Sequence, residues 1–247
     1  MGLQPGSIGA VRLAGGPVWV RELSGADERS VAGTDSACAR ALVDRVLVDA
    51  PGGAGALTVA ERDLVLAHVY QRTFGERVSG VATCGGCGER YDLGFDLRDL
   101  PAYGQVPPRE ITLPTGERLR VPTGEDEQAL VLGAPEHAAR AMVERCLTEG
   151  DPEAVALEAV AQALEREAPV FDLDADAPCP ECGEPNEVRF NLQAYLLGAL
   201  LQERRRLFAE VHVLAGTYGW SLDEILSLAR AERRMLVALI DEGRGRA

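Results

Sequence analysis

Lysine is absent from this 247-residue chain, and all 25 of its basic residues are arginine. A GC-rich coding sequence is the simplest source of that bias. Histidine is scarce: His68, His137 and His212 stand alone, each inside a helical pattern, so each reads as structural rather than as a general base. There is no Ser/His/Asp spacing, no phosphate-cradling glycine loop and no His-Glu-x-x-His run, which removes the common hydrolase, nucleotide-binding and metalloprotease signatures. No run approaches the ~18 apolar residues of a membrane span. Met1 to Ser7 lack the basic and apolar stretches of an export signal. The expectation is a cytoplasmic protein, where paired thiols favour metal over disulfide.

Positive charge is also in short supply. The formal charge is −14, and it is uneven: residues 1–189 hold 17 arginines against 32 acids, while residues 190–247 hold 8 against 7. Nucleic-acid binding draws on concentrated positive charge, so an acidic body argues against a phosphate-tracking partner. It suits a soluble protein that meets other proteins. The apolar share of 46% and charged share of 26% are ordinary for a globular chain, which is long enough for one large domain or two small ones.

What is present is cysteine in pairs. Cys84-Gly-Gly-Cys87 and Cys179-Pro-Glu-Cys182 lie 95 positions apart and continue alike. Cys87-Gly-Glu-Arg-Tyr-Asp-Leu-Gly-Phe-Asp-Leu aligns with Cys182-Gly-Glu-Pro-Asn-Glu-Val-Arg-Phe-Asn-Leu. A thiolate pair on a tight turn is half of a tetrahedral site, and two halves suit Zn²⁺, which imposes no geometry of its own and takes soft sulfur ligands. Cys84, Cys87, Cys179 and Cys182 are therefore the candidate ligands of one structural zinc. Alternating apolar residues after each turn predict that each knuckle feeds a short strand. The usual separation of such pairs is 15–20 residues, so this ribbon joins distant parts of the chain. The competing readings are a knuckle pair that has lost its metal and a redox dithiol. The second lacks the nearby Lys or His that would lower a thiol pKa. Cys38 and Cys146 sit in apolar helical contexts and read as small buried hydrophobes.

The rest of the pattern gives an α+β expectation: small β elements pinned by the four-cysteine site, followed by a helical C-terminal part. Residues 8–22 read as a hairpin, with helices near 35–48 and 59–74. The second carries Thr58 as cap, Glu61 three residues on and Gly75 as stop. A hairpin over 109–121, a short helix from Thr123 and helices near 136–148 and 152–166 form an excursion at about 100–178 inside a 1–190 domain. Residues 191–247 read as a C-terminal helical region docked on, or projecting from, the cysteine-pinned portion. It comprises one long amphipathic helix of roughly 24 residues, or about 36 Å, a short helix capped by Ser221 and Glu224, and a last helix near 230–242.

Three passages together resemble a known family. They are Leu57-Thr-Val-Ala-Glu-Arg-Asp63 with Phe74-Gly-Glu-Arg77, then Cys179-Pro-Glu-Cys182-Gly183 leading to Phe190-Asn-Leu192. The third is Glu210-Val-His-Val-Leu-Ala215 with Tyr218-Gly-Trp220-Ser-Leu-Asp-Glu-Ile-Leu226 and Arg230 to Leu236. This resembles the baseplate hub assembly proteins of contractile phage tails and related injection systems. The resemblance implies a non-enzymatic assembly chaperone or minor baseplate component. Its implied partners are hub, spike or other tail proteins, with no small-molecule substrate, nucleic acid or membrane. Within it, the four cysteines match the paired cysteine positions. His212, Tyr218 and Trp220 match the His and aromatic positions of the C-terminal passage, where they either pack at a helix junction or contact a partner. Arg204 to Arg206 with Arg233 and Arg234 form either a solvated face or a basic strip that docks an acidic partner. The competing function is a zinc-ribbon adaptor acting on nucleic acid or the transcription machinery.

Overall fold

The computed structural model describes residues 8–130 and 135–244. Strands β1 (Ile8–Leu13) and β2 (Gly16–Arg21) form the expected first hairpin, with Val11, Leu13 and Val20 turned to the core. Two helices then cross over, α1 (Gly25–Ser30) and α2 (Ser36–Val46). The short strand β3 (Leu47–Val48) adds to β2, giving a sheet in the order β1-β2-β3. Helix α3 (Val59–Phe74) starts at the predicted Thr58/Glu61 capping box and stops at Gly75. The hairpin of β4 (Arg77–Thr83) and β5 (Arg90–Asp96) carries the first knuckle at its turn.

The same order then recurs. Strands β6 (Glu110–Thr112) and β7 (Arg118–Arg120) lead to α4 (Gly124–Leu130) and α5 (Pro135–Cys146). Next comes β8 (Leu147–Glu149), which pairs with β7 to give the order β6-β7-β8. Helix α6 (Leu157–Glu167) follows, and the hairpin of β9 (Asp172–Asp176) and β10 (Glu187–Asn191) carries the second knuckle. Val78 pairs with Phe95 and Leu173 pairs with Phe190. Val20 pairs with Leu47 and Leu119 with Leu147. The segment that reads as an excursion is thus a second copy of the elements before it, and the chain is two similar halves joined at their knuckles. Two boundaries move accordingly: α5 ends at Cys146 because residues 147–149 join the sheet, and α6 begins at Leu157 rather than near residue 152.

The long helix α7 (Leu192–Tyr218) is docked at its start and projects at its end. Leu192, Leu196, Leu197 and Leu200 belong to one core with Leu42, Val65, Leu66 and Leu97 of the first half. Each such buried leucine contributes roughly 1.5–3 kcal/mol, so this part of α7 is integral to the first half. The second half has its own smaller core around Ile111, Leu119, Val143 and Ala163. Only the far end of α7 builds the last cluster, Leu214 with Ile225 of α8 (Leu222–Ser227) and Ile240 of α9 (Arg230–Arg244).

Candidate metal centre and the C-terminal surface

Each knuckle is a turn built by the same bonds. The Cys84 amide donates to the Glu89 carbonyl at 2.9 Å, and the Gly88 amide to the Cys84 carbonyl at 3.0 Å. The counterparts are Cys179 to Glu184 at 3.0 Å and Gly183 to Cys179 at 2.9 Å. Gly88 and Gly183 have φ of 77° and 76°, a left-handed conformation that glycine adopts without a Cβ penalty. That requirement explains why glycine follows the second cysteine in both copies. In each knuckle the first cysteine is buried and the second exposed.

The two turns bring four sulfurs together. Cys84 Sγ lies 3.6 Å from Cys182 Sγ, and Cys87 Sγ lies 3.8 Å from Cys179 Sγ. All four are within 4.8 Å of one another. A tetrahedron with metal–sulfur bonds near 2.3 Å has edges of about 3.8 Å, so the donor set fits a metal ion. The Cys87 and Gly86 amides point at Cys84 Sγ, from 3.5 and 3.3 Å, and bring its pKa down to about 7. Hydrogen-bond sharing among the sulfurs raises Cys87 and Cys182 in turn, so the amides favour the thiolate at Cys84. Beside the cluster Tyr91 Oη donates to the Ala177 carbonyl at 2.6 Å and accepts from Asn186 Nδ2 at 2.8 Å. Tyr91 and Asn186 occupy equivalent places in the two copies, so the halves are locked through matching residues.

A second repeated constellation escapes notice in the sequence until the two copies are aligned: Arg21-Glu-Leu-Ser24-Gly-Ala-Asp27-Glu28 and Arg120-Val-Pro-Thr123-Gly-Glu-Asp126-Glu127. Arg21 and Arg45 both bond the Asp27 carboxylate, and Arg120 and Arg145 both bond Asp126. Ser24 and Thr123 add amide and hydroxyl donors to the same carboxylates. Burial alone would raise the Asp27 pKa, but these donors, Arg21 foremost, bring it below the usual carboxylate range. The Arg120 bonds do the same to Asp126.

Each of these helix starts pairs with another helix start. The Gly124 amide donates to Leu57 at 3.1 Å and the Val59 amide to Pro122 at 3.0 Å. The Gly25 amide donates to Leu228 at 3.2 Å and the Arg230 amide to Leu23 at 3.3 Å. The partners share a sequence, Leu57-x-x-Ala60-Glu61-Arg62 and Leu228-x-x-Ala231-Glu232-Arg233. Arg62 pairs with Glu127, and Arg233 pairs with Glu28. Helix α9 therefore stands to α1 as α3 stands to α4. A Cβ on Gly25 would meet Arg233 Nη1 and Leu226 Cδ2, each at 2.9 Å, which is why this start is glycine.

The C-terminal candidates fall into two groups. Arg233 is fully buried, donating to Glu28 at 2.5 Å, Glu210 at 3.2 Å and the Leu228 carbonyl at 2.8 Å. This corrects its assignment as a contact residue: its charge anchors α9 to the body. Arg234 is half-buried and bonds Glu203 and Glu210, so it too serves the internal network. His212, Tyr218 and Trp220 are exposed, and the Tyr218 and Trp220 rings stack with centroids 4.9 Å apart. Phe208 of α7, Leu222 of α8, and Met235 and Leu239 of α9 are exposed as well. Among the remaining cysteines, Cys146 is buried with its thiol pushed up to about 11 by burial, whereas Cys38 is only half-buried. No helix among the described residues is long and apolar enough to cross a membrane. Comparison with known protein families, with curated proteins and with solved structures found no match.

Proposed function

We propose that the chain is a non-enzymatic assembly factor, or minor structural component, of a contractile-tail or injection-system baseplate hub. It acts through protein contacts, with Zn²⁺ as a structural ion on Cys84, Cys87, Cys179 and Cys182. Four sulfurs with no nitrogen or carboxylate ligand suit a closed structural site, whereas catalytic zinc keeps an open position. The observation that carries the docking role is the end of α7 with α8 and α9. The passage that gives the sharpest family resemblance is also where Tyr218, Trp220, Leu222 and Met235 face solvent, with exposed Phe208 and Leu239 just outside it. Large apolar and aromatic side chains grouped on one exposed end are the usual anchors of protein interfaces.

The nucleic-acid adaptor reading gains little support, because the exposed residues flanking the sulfurs include Glu89, Glu181 and Glu184 against the single cation Arg90. The test is co-expression with hub and spike proteins of a contractile tail. Deleting α9 would strip Arg233 from two buried glutamates, so surface substitutions are the better probe. Tyr218→Ser with Trp220→Ser should abolish co-purification while leaving metal content and the thermal midpoint unchanged. Normal capture by that variant would refute docking through this end.

A further inference from the structure

The outer face of α7 differs in charge from the acidic residues 1–189. Between residues 204 and 222 the only carboxylate is Glu210, which is buried and bonded by Arg233 and Arg234. The same stretch holds three arginines and one histidine. Arg204 is tied to the Arg29 and Val31 carbonyls, and Arg206 leans towards Glu210 at 3.8 Å. Arg205 and His212 make no bond within the chain's described residues. At helical spacing, Arg205, Phe208, Ala209, His212 and Gly216 share one face, and all five are exposed.

We infer that this face binds an acidic amphipathic helix of a partner protein, with Phe208 as the apolar anchor, Arg205 as the charged contact and His212 as a polar contact. This rests on the docking role proposed above and names the chemistry of what docks. Ala209 and Gly216 leave the middle of the face low, so a second helix axis can approach closely, and Phe208 offers one large side chain to its apolar stripe. The cations at Arg205 and Arg206 complement carboxylates flanking that stripe, and the His212 imidazole offers them a hydrogen-bond donor. The remainder of the molecule is acidic, but at physiological ionic strength fields fade over about 8 Å, so the local set of charges decides what approaches. A nucleic acid would also meet cations and an aromatic ring here. Its phosphates continue along the surface, though, and beyond this face they would meet the acidic body.

The test uses the full-length, metal-loaded chain and three fluorescent probes. Two are amphipathic peptides with the same leucine stripe, one flanked by glutamates and one by lysines; the third is a single-stranded oligonucleotide. The glutamate peptide should bind at least about tenfold tighter than the lysine peptide and weaken with added salt. Arg205→Glu combined with His212→Glu should reverse that preference without changing the thermal midpoint. Equal affinities, no binding of either peptide, tighter binding of the oligonucleotide, or indifference to the charge reversal would each overturn the assignment. If Tyr218→Ser with Trp220→Ser still abolishes capture of a hub or spike protein while charge reversal does nothing, docking stands and the acidic-helix reading alone falls.

Discussion

Phe95 and Phe190 occupy the same place in the two halves, and their rings meet edge to face, centroids 4.9 Å apart with planes at 87°. Equivalent residues touch one another where a local twofold relation passes between them. The same relation pairs Tyr91 with Asn186 and crosses the sulfurs, Cys84 with Cys182 and Cys87 with Cys179. The four-sulfur cluster, the polar lock and the aromatic pair thus form one seam between the halves. Phe190→Ala should cost about 3 kcal/mol. A double-mutant cycle with Phe95→Ala should show coupling of roughly 0.5–1.5 kcal/mol, read from denaturant midpoints. Additive single effects would mean that the rings only fill space.

The repeat also explains what could and could not be read from the sequence. The knuckles were legible because their chemistry is local: two cysteines, a glycine and an alternating strand at a fixed spacing. The Thr58/Glu61 helix start was legible for the same reason. The Thr123 start was legible too, but its counterpart at Ser24 was hidden because α1 spans only six residues. Their meaning depends on Arg45 and Arg145, each close to twenty residues further on and brought near only by the sheet. Arg233 misled in the opposite direction. An arginine pair on a helix ordinarily faces water, and only the tertiary fold places Glu28 against it.

Helix α9 should be held by its buried charges. Arg233→Ala would leave Glu28 and Glu210 buried without their strongest partner, which typically costs 3–5 kcal/mol. Arg205→Ala, on the open face of α7, should stay within about 0.5 kcal/mol of the parent. Chemical denaturation of the two variants separates them. A mild Arg233 effect would show that α9 is docked by its apolar cluster alone.

The close approach of helix starts predicts a steric limit at Gly25. Gly25→Ala would place a methyl 2.9 Å from both Arg233 Nη1 and Leu226 Cδ2. It should destabilise by about 1–3 kcal/mol, as overpacking does. The same exchange at half-buried Gly198, where a Cβ meets nothing within 4 Å, should stabilise α7 by about 0.5–1 kcal/mol. Thermal midpoints that move in the same direction would contradict this packing.

Asp63 gives the stability a distinctive pH dependence. Its carboxylate accepts the Phe171 amide at 3.0 Å, and burial raises its pKa from 3.8 to about 6, against the opposing charge of Arg62. The folded state therefore binds this proton more tightly than the unfolded chain. The contribution is fully present below about pH 4 and is lost as the pH rises through about 6. Asp63→Asn keeps an acceptor for Phe171 without the charge, so it should be more stable than the parent at pH 7.5, by on the order of 2 kcal/mol. The advantage should vanish near pH 4. An advantage independent of pH would mean that Asp63 is ionised throughout.

The central claim is that one metal ion, held by two cysteines from each half, joins the two copies. X-ray absorption with elemental analysis of the purified chain tests it most directly. The account predicts one zinc per chain with four sulfur neighbours near 2.3 Å, and near-complete loss of zinc in both Cys84→Ser and Cys179→Ser. Protein that carries no metal, or a first shell containing nitrogen or oxygen, would contradict it. So would full zinc retention in either variant.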